Sequence, residues 1–282
     1  MNKNFRTTFW ILPFAVLLLS CYPRDPIPVG PVQTTILSTG FESPSTYPWG
    51  FLWAEGAQKS YSMQTVDSKY RKGIRSLRVE LRKGDLTPDN NLNVRAELTA
   101  QKEKPRMERR YKFSIYLPEN GDEDFATDIS PEILAQWHNV PDPGEEWTSP
   151  PLALAVRNGE WSVDRLWDED SISTTAKMFA EKKYAFHNLG SVQGDKGKWT
   201  DWEFYVKWGW LPEHNTILEV YKNGVKVLDQ KGLPNTTNDR DGVYFKMGIY
   251  KWEWGKTPSP STTSKRIVYY DDVEIKEYTY NN

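Results

Sequence analysis

Ile217-Leu218-Glu219-Val220-Tyr221 and Val225-Lys226-Val227-Leu228, joined across Asn223-Gly224, decide the fold of this 282-residue chain. Asn-Gly suits a two-residue turn because both positions need positive φ, and strand-forming residues flank it on each side. The stretch therefore predicts an antiparallel hairpin. Working outward, Trp202, Phe204, Val206 and Trp208 fall on one face of a preceding strand. Arg110-Tyr111-Lys112-Phe113-Ser114-Ile115-Tyr116 alternates until Leu117-Pro118 stops it, and Ser76-Leu77-Arg78-Val79-Glu80-Leu81-Arg82 behaves alike. Near the end, Arg266-Ile267-Val268-Tyr269-Tyr270 continues through Asp271-Asp272 to Val273-Glu274-Ile275. Helical periodicity is weak, with its best candidate between Thr174 and Lys182. Many strands, turn residues between them and no alternating helices predict an all-β fold, an antiparallel β-sandwich. With no internal repeat and no break in composition, residues 36–282 read as one domain.

The N-terminus reads as a targeting segment. Lys3 and Arg6 precede an apolar run, Phe9 to Leu19, too short to span a bilayer comfortably. It closes on Leu18-Leu19-Ser20-Cys21, which resembles a bacterial lipobox. Residues 1–21 are expected to be a lipoprotein signal peptide, with Cys21 acylated as the first mature residue. The lipid would be the only membrane contact of an exported bacterial lipoprotein in the outer membrane, periplasm or cell surface. Cys21 is the only cysteine, so the domain must rest on its core rather than on disulfides. Residues 22–35 hold four prolines and read as a flexible tether. With 36 basic against 38 acidic residues, no global field recruits nucleic acid, and a monomer is expected. Thirteen tryptophans and fifteen tyrosines exceed the needs of such a core and suit stacking against sugar rings.

Three distant stretches alternate so that their polar members share a strand face: Val94-Arg95-Ala96-Glu97-Leu98-Thr99, Ala135-Gln136-Trp137-His138 and Tyr244-Phe245-Lys246-Met247-Gly248-Ile249-Tyr250. Successive strand side chains point oppositely. Arg95, Glu97 and Thr99 go one way and Val94, Ala96 and Leu98 the other, leaving Phe245, Met247 and Ile249 for the core. An arginine, a glutamine, a histidine, a lysine and tyrosines on one face suit an acidic substrate. Each stretch alone reads equally as a solvated strand. The long loops 139–151 and 254–265 each follow one of these stretches and are expected to wall a cleft.

Arg95-Ala96-Glu97-Leu98, Gln136-Trp137-His138 and Tyr244 to Tyr250 resemble, in this order, signature stretches of jelly-roll polysaccharide lyases of the heparin-lyase and glucuronan-lyase-like group. Alginate lyases of the same fold carry similar triplets. The resemblance runs through most of residues 37 to 280. It implies a concanavalin-like β-jelly roll with a concave substrate groove, and β-elimination in an anionic, uronic-acid-containing polysaccharide. In that reaction a proton leaves C5 and the glycosidic oxygen leaves C4. By the resemblance, Arg95 and Gln136 neutralise the sugar carboxylate, and His138 and Tyr250 supply the base and the acid in either order. Lys246, Tyr244, Glu97 and Trp137 are expected at the substrate, Glu97 also orienting Arg95, with Gly248 leaving open groove floor. No cofactor is required for the chemistry. Glu42 and Asp272 are candidate ligands for a structural calcium. Two alternatives stand beside this reading: a non-catalytic carbohydrate-binding jelly roll, and a concanavalin-like glycoside hydrolase, which needs two facing carboxylates where the motifs offer only Glu97. The near-zero net charge leans away from densely sulfated heparin, and Trp137 leans toward a glucuronate-containing polymer over alginate.

Overall fold

The alternation read from the sequence is realised as fifteen strands in a computed structural model that describes residues 30–56, 59–85 and 94–280. The targeting segment, Cys21 and residues 22–29 lie outside the described residues. The chain runs through β1 (Val32–Thr39), β2 (Trp53–Glu55), β3 (Met63–Val66), β4 (Ser76–Arg82) and β5 (Arg95–Thr99). It continues through β6 (Glu108–Tyr116), β7 (Glu132–His138), β8 (Leu152–Arg157), β9 (Glu160–Leu166) and β10 (Tyr184–Ser191). The last five are β11 (Trp199–Lys207), β12 (Ile217–Lys222), β13 (Val225–Lys231), β14 (Tyr244–Tyr250) and β15 (Lys265–Thr279). The short helix α1 (Thr175–Ala180) lies where helical periodicity was expected, and the Thr174 side chain caps it by accepting the Lys177 N–H.

Two antiparallel sheets result. One has the order β10-β9-β8-β7-β14-β5-β2; the other runs β13-β12-β11-β6-β15-β4-β3, with β1 also on β15. The opening hairpin is β12 and β13, with Asn223 at φ 52° and Gly224 at φ 78°, the left-handed values its turn requires. Val94, Ala96 and Leu98 of one sheet and Phe113, Trp202, Phe204 and Val206 of the other are buried between the sheets, as alternation places them. This is the expected β-sandwich.

Val32 to Thr35, which the sequence assigned to the tether, instead pair with Thr279 to Lys276 of β15. The prolines end at Pro31, and the Gln and Thr side chains of an outer strand hid the change. A second departure occurs in β14. Its register with β7 shifts between Met247 and Tyr250, and Gly248 sits at φ +142°. A Cβ there would lie 2.1 Å from the Ala96 carbonyl oxygen. Gly248 is thus the glycine of a bulge pressed against β5, not open groove floor.

Candidate active site

Strand order brings the three polar-faced stretches side by side: β14 lies between β7 and β5. Tyr250 stands opposite Arg95, Lys246 opposite both Gln136 and Thr99, and Tyr244 opposite His138. On the face turned away from the core, Arg95, His138, Tyr244 and Tyr250 line a cleft of about 1020 Å³. Trp147 to Pro150 from one long loop and Gly255 with Lys256 from the other contribute walls, as the sequence indicated. Ile133, Ala153 and Ala155 pack with Tyr250 and Trp252 as an apolar floor.

Arg95 is held from several sides. Its guanidinium lies 4.3 Å from the centre of the Tyr250 ring. Its Nη1 is 3.2 Å from Glu55 Oε1 and 3.7 Å from Glu97 Oε2. Beneath it, Lys246 Nζ sits 2.9 Å from Glu97 Oε2 and also pairs with Glu55. The Gln136 amide donates to Glu97 Oε1. Burial disfavours the charged form of Glu97, yet Lys246 and Arg95 outweigh it and hold the carboxyl below its usual range. The result is a charged platform, with Arg95 on top and Lys246, Glu97 and Gln136 below.

His138 Nδ1 is 3.0 Å from the Asn139 carbonyl oxygen. A carbonyl only accepts, so in the neutral ring Nδ1 carries the proton and Nε2 is the basic nitrogen. The Tyr244 ring stacks at 5.8 Å and the Trp147 edge at 5.5 Å. Burial, together with the cations Lys246 and Arg95, pushes the His138 pKa down to about 4. The imidazole is therefore neutral and able to take a proton at neutral pH. Burial raises the Tyr250 phenol pKa while Arg95 opposes the shift, so Tyr250 is a protonated donor under the same conditions. Tyr244 is raised too, by burial and by Glu55 and Glu97.

Several sequence expectations are corrected here. Trp137 is fully buried in the core, its ring 5.1 Å from Tyr111 and 4.6 Å from Phe204, so it cannot touch a ligand in the cleft. Alternation demands this, since Gln136 and His138 take the other face. Lys246, Glu97 and Gln136 face the right way but are buried beneath Arg95 rather than exposed to substrate. Asp272 pairs with Lys72 at 3.3 Å, and Glu42 accepts the Ile74 N–H at 3.0 Å. Each carboxylate is thus engaged through one oxygen, which leaves the other as a donor an ion could use. The acids Asp168, Asp170 and Glu181 cluster elsewhere, but Lys177 pairs with all of them and Lys183 with Asp168 and Glu181. Reading the sequence missed Glu55, Trp147, Arg157, Phe186 and Trp252, all of which line the cleft.

A sandwich with a cleft across one sheet, floored by small apolar residues and lined by an imidazole, two phenols and a guanidinium, is suited to hold an acidic sugar chain. A family described as Polysaccharide lyase matches residues 41–274, and the chain belongs to that family. Among solved structures it is similar to an endo-β-1,4-glucuronan lyase from the fungus Trichoderma reesei. Identity is 18%, the TM-score is 0.63, and the match covers 80% of this chain and 90% of that one. It is also similar to the family 7 alginate lyase A1-II′ solved with substrate, at 12% identity and a TM-score of 0.52, covering 79% and 84%. No curated protein matches the sequence.

Proposed function

We propose that this polysaccharide lyase cleaves a polymer of uronic acid, with glucuronate its leading substrate, and that Arg95, His138 and Tyr250 carry the elimination. The observation that supports this most is the adjacency of β5, β14 and β7, which places those three side chains on one cleft. The sugar carboxylate sits at Arg95, whose charge stabilises the enolate-like state formed when C5 loses its proton. His138 Nε2 takes that proton. Electrons of the C5–H bond form the C4=C5 double bond, the C4–O4 bond breaks, and the Tyr250 hydroxyl protonates the departing oxygen. Both protons then exchange with solvent. Gln136 acts through Glu97 on this reading, keeping the platform ionised rather than contacting sugar.

The state of Glu97 weighs against a retaining or inverting hydrolase. Such an enzyme needs a carboxylic acid of raised pKa facing the sugar. Glu97 is buried and its pKa is lowered. As for the kind of polymer, the cleft lining is only mildly cationic: Arg95, Arg157 and Lys256 share it with Glu55 and Asp164. That balance favours a carboxylate polymer over a densely sulfated one.

The test is ultraviolet absorbance of unsaturated uronates on glucuronan, alginate, pectate, hyaluronan, heparan and heparin. Glucuronan is expected to give the strongest signal. Silence on every polymer would remove the elimination. The chemistry is proposed to be free of metal, and any calcium at Glu42 and Asp272 structural, so a chelator is expected to leave kcat unchanged. Acylation at Cys21, tethering the enzyme to an exported face of the membrane, is proposed as well. Incorporation of labelled palmitate that is lost in Cys21→Ser would support it.

A further inference from the structure

The cleft does not end at the reacting groups. Its lining continues across β8, β9 and β10 to Arg157, Phe179 and Phe186. A continuous line of strand partners connects the two ends: Lys246 faces Gln136, Gln136 faces Ala153, Ala153 faces Asp164, and Asp164 faces Phe186. On that line β8 offers only Ala153, so a chain lying across the strands meets a low point between Gln136 and the Arg157–Asp164 pair. β10 is three strands beyond β7, about 14 Å at the spacing of neighbouring strands. A 1,4-linked pyranose advances its chain by close to one strand spacing.

At this far end the chemistry of the site repeats in miniature. The Arg157 guanidinium lies 4.4 Å from the centre of the Phe186 ring, much as Arg95 lies over Tyr250. Its Nε is held 3.1 Å from Asp164 Oδ2, and Asp164 in turn accepts from Ser162 Oγ at 2.5 Å. The Arg157 side chain is nonetheless 34% exposed, and Phe186 and Phe179 are 43% and 42% exposed. Exposed phenyl faces beside an anchored guanidinium match a sugar that offers a C–H face and a carboxylate together. Both rings pack on Tyr184, at 4.8 Å and 5.2 Å between centres, and turn their remaining faces to the cleft.

We propose that Arg157 and Phe186 form a distal subsite that grips a second carboxylate-bearing sugar, about three residues along the same chain from the scissile linkage. Asp164 orients the guanidinium, and Phe179 at the end of α1 closes the side of the ring. The subsite rests on the lyase reading for one thing only, that the occupant is a uronate chain. Its consequence is a length requirement: a chain long enough to reach β10 binds with two charged anchors, and a short one with a single anchor.

The test compares a hexamer with a trimer of β-1,4-linked glucuronic acid. Arg157→Met combined with Asp164→Asn removes both charges without stranding a buried carboxylate. Phe186→Ala probes the ring separately. Each is expected to reduce the advantage in kcat/KM of hexamer over trimer, about tenfold for the double variant, the worth of one charge-assisted contact. Binding is read independently by calorimetry in a His138→Ala background, where the double variant is expected to weaken the hexamer by a similar factor. Weakened hexamer binding in a parent that gives no ultraviolet product would keep the subsite and remove the elimination. An unmoved length preference with unchanged hexamer binding in an active parent would remove the subsite alone.

Discussion

At His138 a backbone carbonyl decides which nitrogen is basic, and burial decides when it is free. Because the pKa is lowered to about 4, the neutral form persists well below neutrality. The kcat/KM profile is therefore expected to stay flat through neutral pH and to fall as pH drops through about 4, rather than near the ordinary imidazole value. His138→Ala is expected to lose about 10²–10⁴ in turnover, the usual worth of a positioned proton acceptor. Arg95→Ala removes the group that meets the developing charge and is expected to cost about 3 kcal/mol in kcat/KM. An effect confined to KM would make Arg95 a positioning group. Tyr250→Phe tests the proton donor, and full activity in that variant would move the role to Tyr244, the other phenol on the cleft.

At the scale of strands, register does the assembling. β5, β7 and β14 are far apart in sequence, and their motifs share a site only because β14 pairs with both neighbours. Alternation in each stretch was legible without a structure, since a period of two follows from backbone geometry alone. It gave the face of the residues in these stretches, including the core side for Trp137, which the family resemblance had drawn to the substrate. It did not give depth. Lys246, Glu97 and Gln136 face the cleft side yet lie buried under Arg95, because Glu55 and Arg95 cover them and no spacing rule encodes that cover. Arg157 and Phe186 were invisible for another reason: each is an ordinary strand residue until β8, β9 and β10 carry it to the end of the cleft. Trp137→Ala is expected to cost about 3–5 kcal/mol of stability, read as a lower urea midpoint, because it empties a core site ringed by Tyr111, Phe204, Trp208 and Phe245. Gly248→Val is expected to be worse than its small volume suggests, since β5 backbone occupies the space the side chain needs.

For the molecule as a whole, one buried carboxyl sets part of the pH response. Glu103 accepts hydrogen bonds from Tyr111 and Trp208 and lies 3.4 Å from Arg109, yet burial prevails and pushes its pKa up to about 7. A carboxyl raised in the folded state stabilises it at low pH, and that contribution disappears as pH climbs from about 4.5 through about 7. Glu103→Gln is expected to flatten this decline, measured as urea midpoints on either side of that window. A different property follows from where the chain's last strand goes. β15 lies between β6 and β4 in the interior of its sheet and also receives β1. β15 is thus a keystone: until it docks, the strands on either side have nothing to close upon. A truncation before Lys265 is therefore expected to leave an unassembled chain rather than a trimmed enzyme, read as loss of a cooperative urea transition.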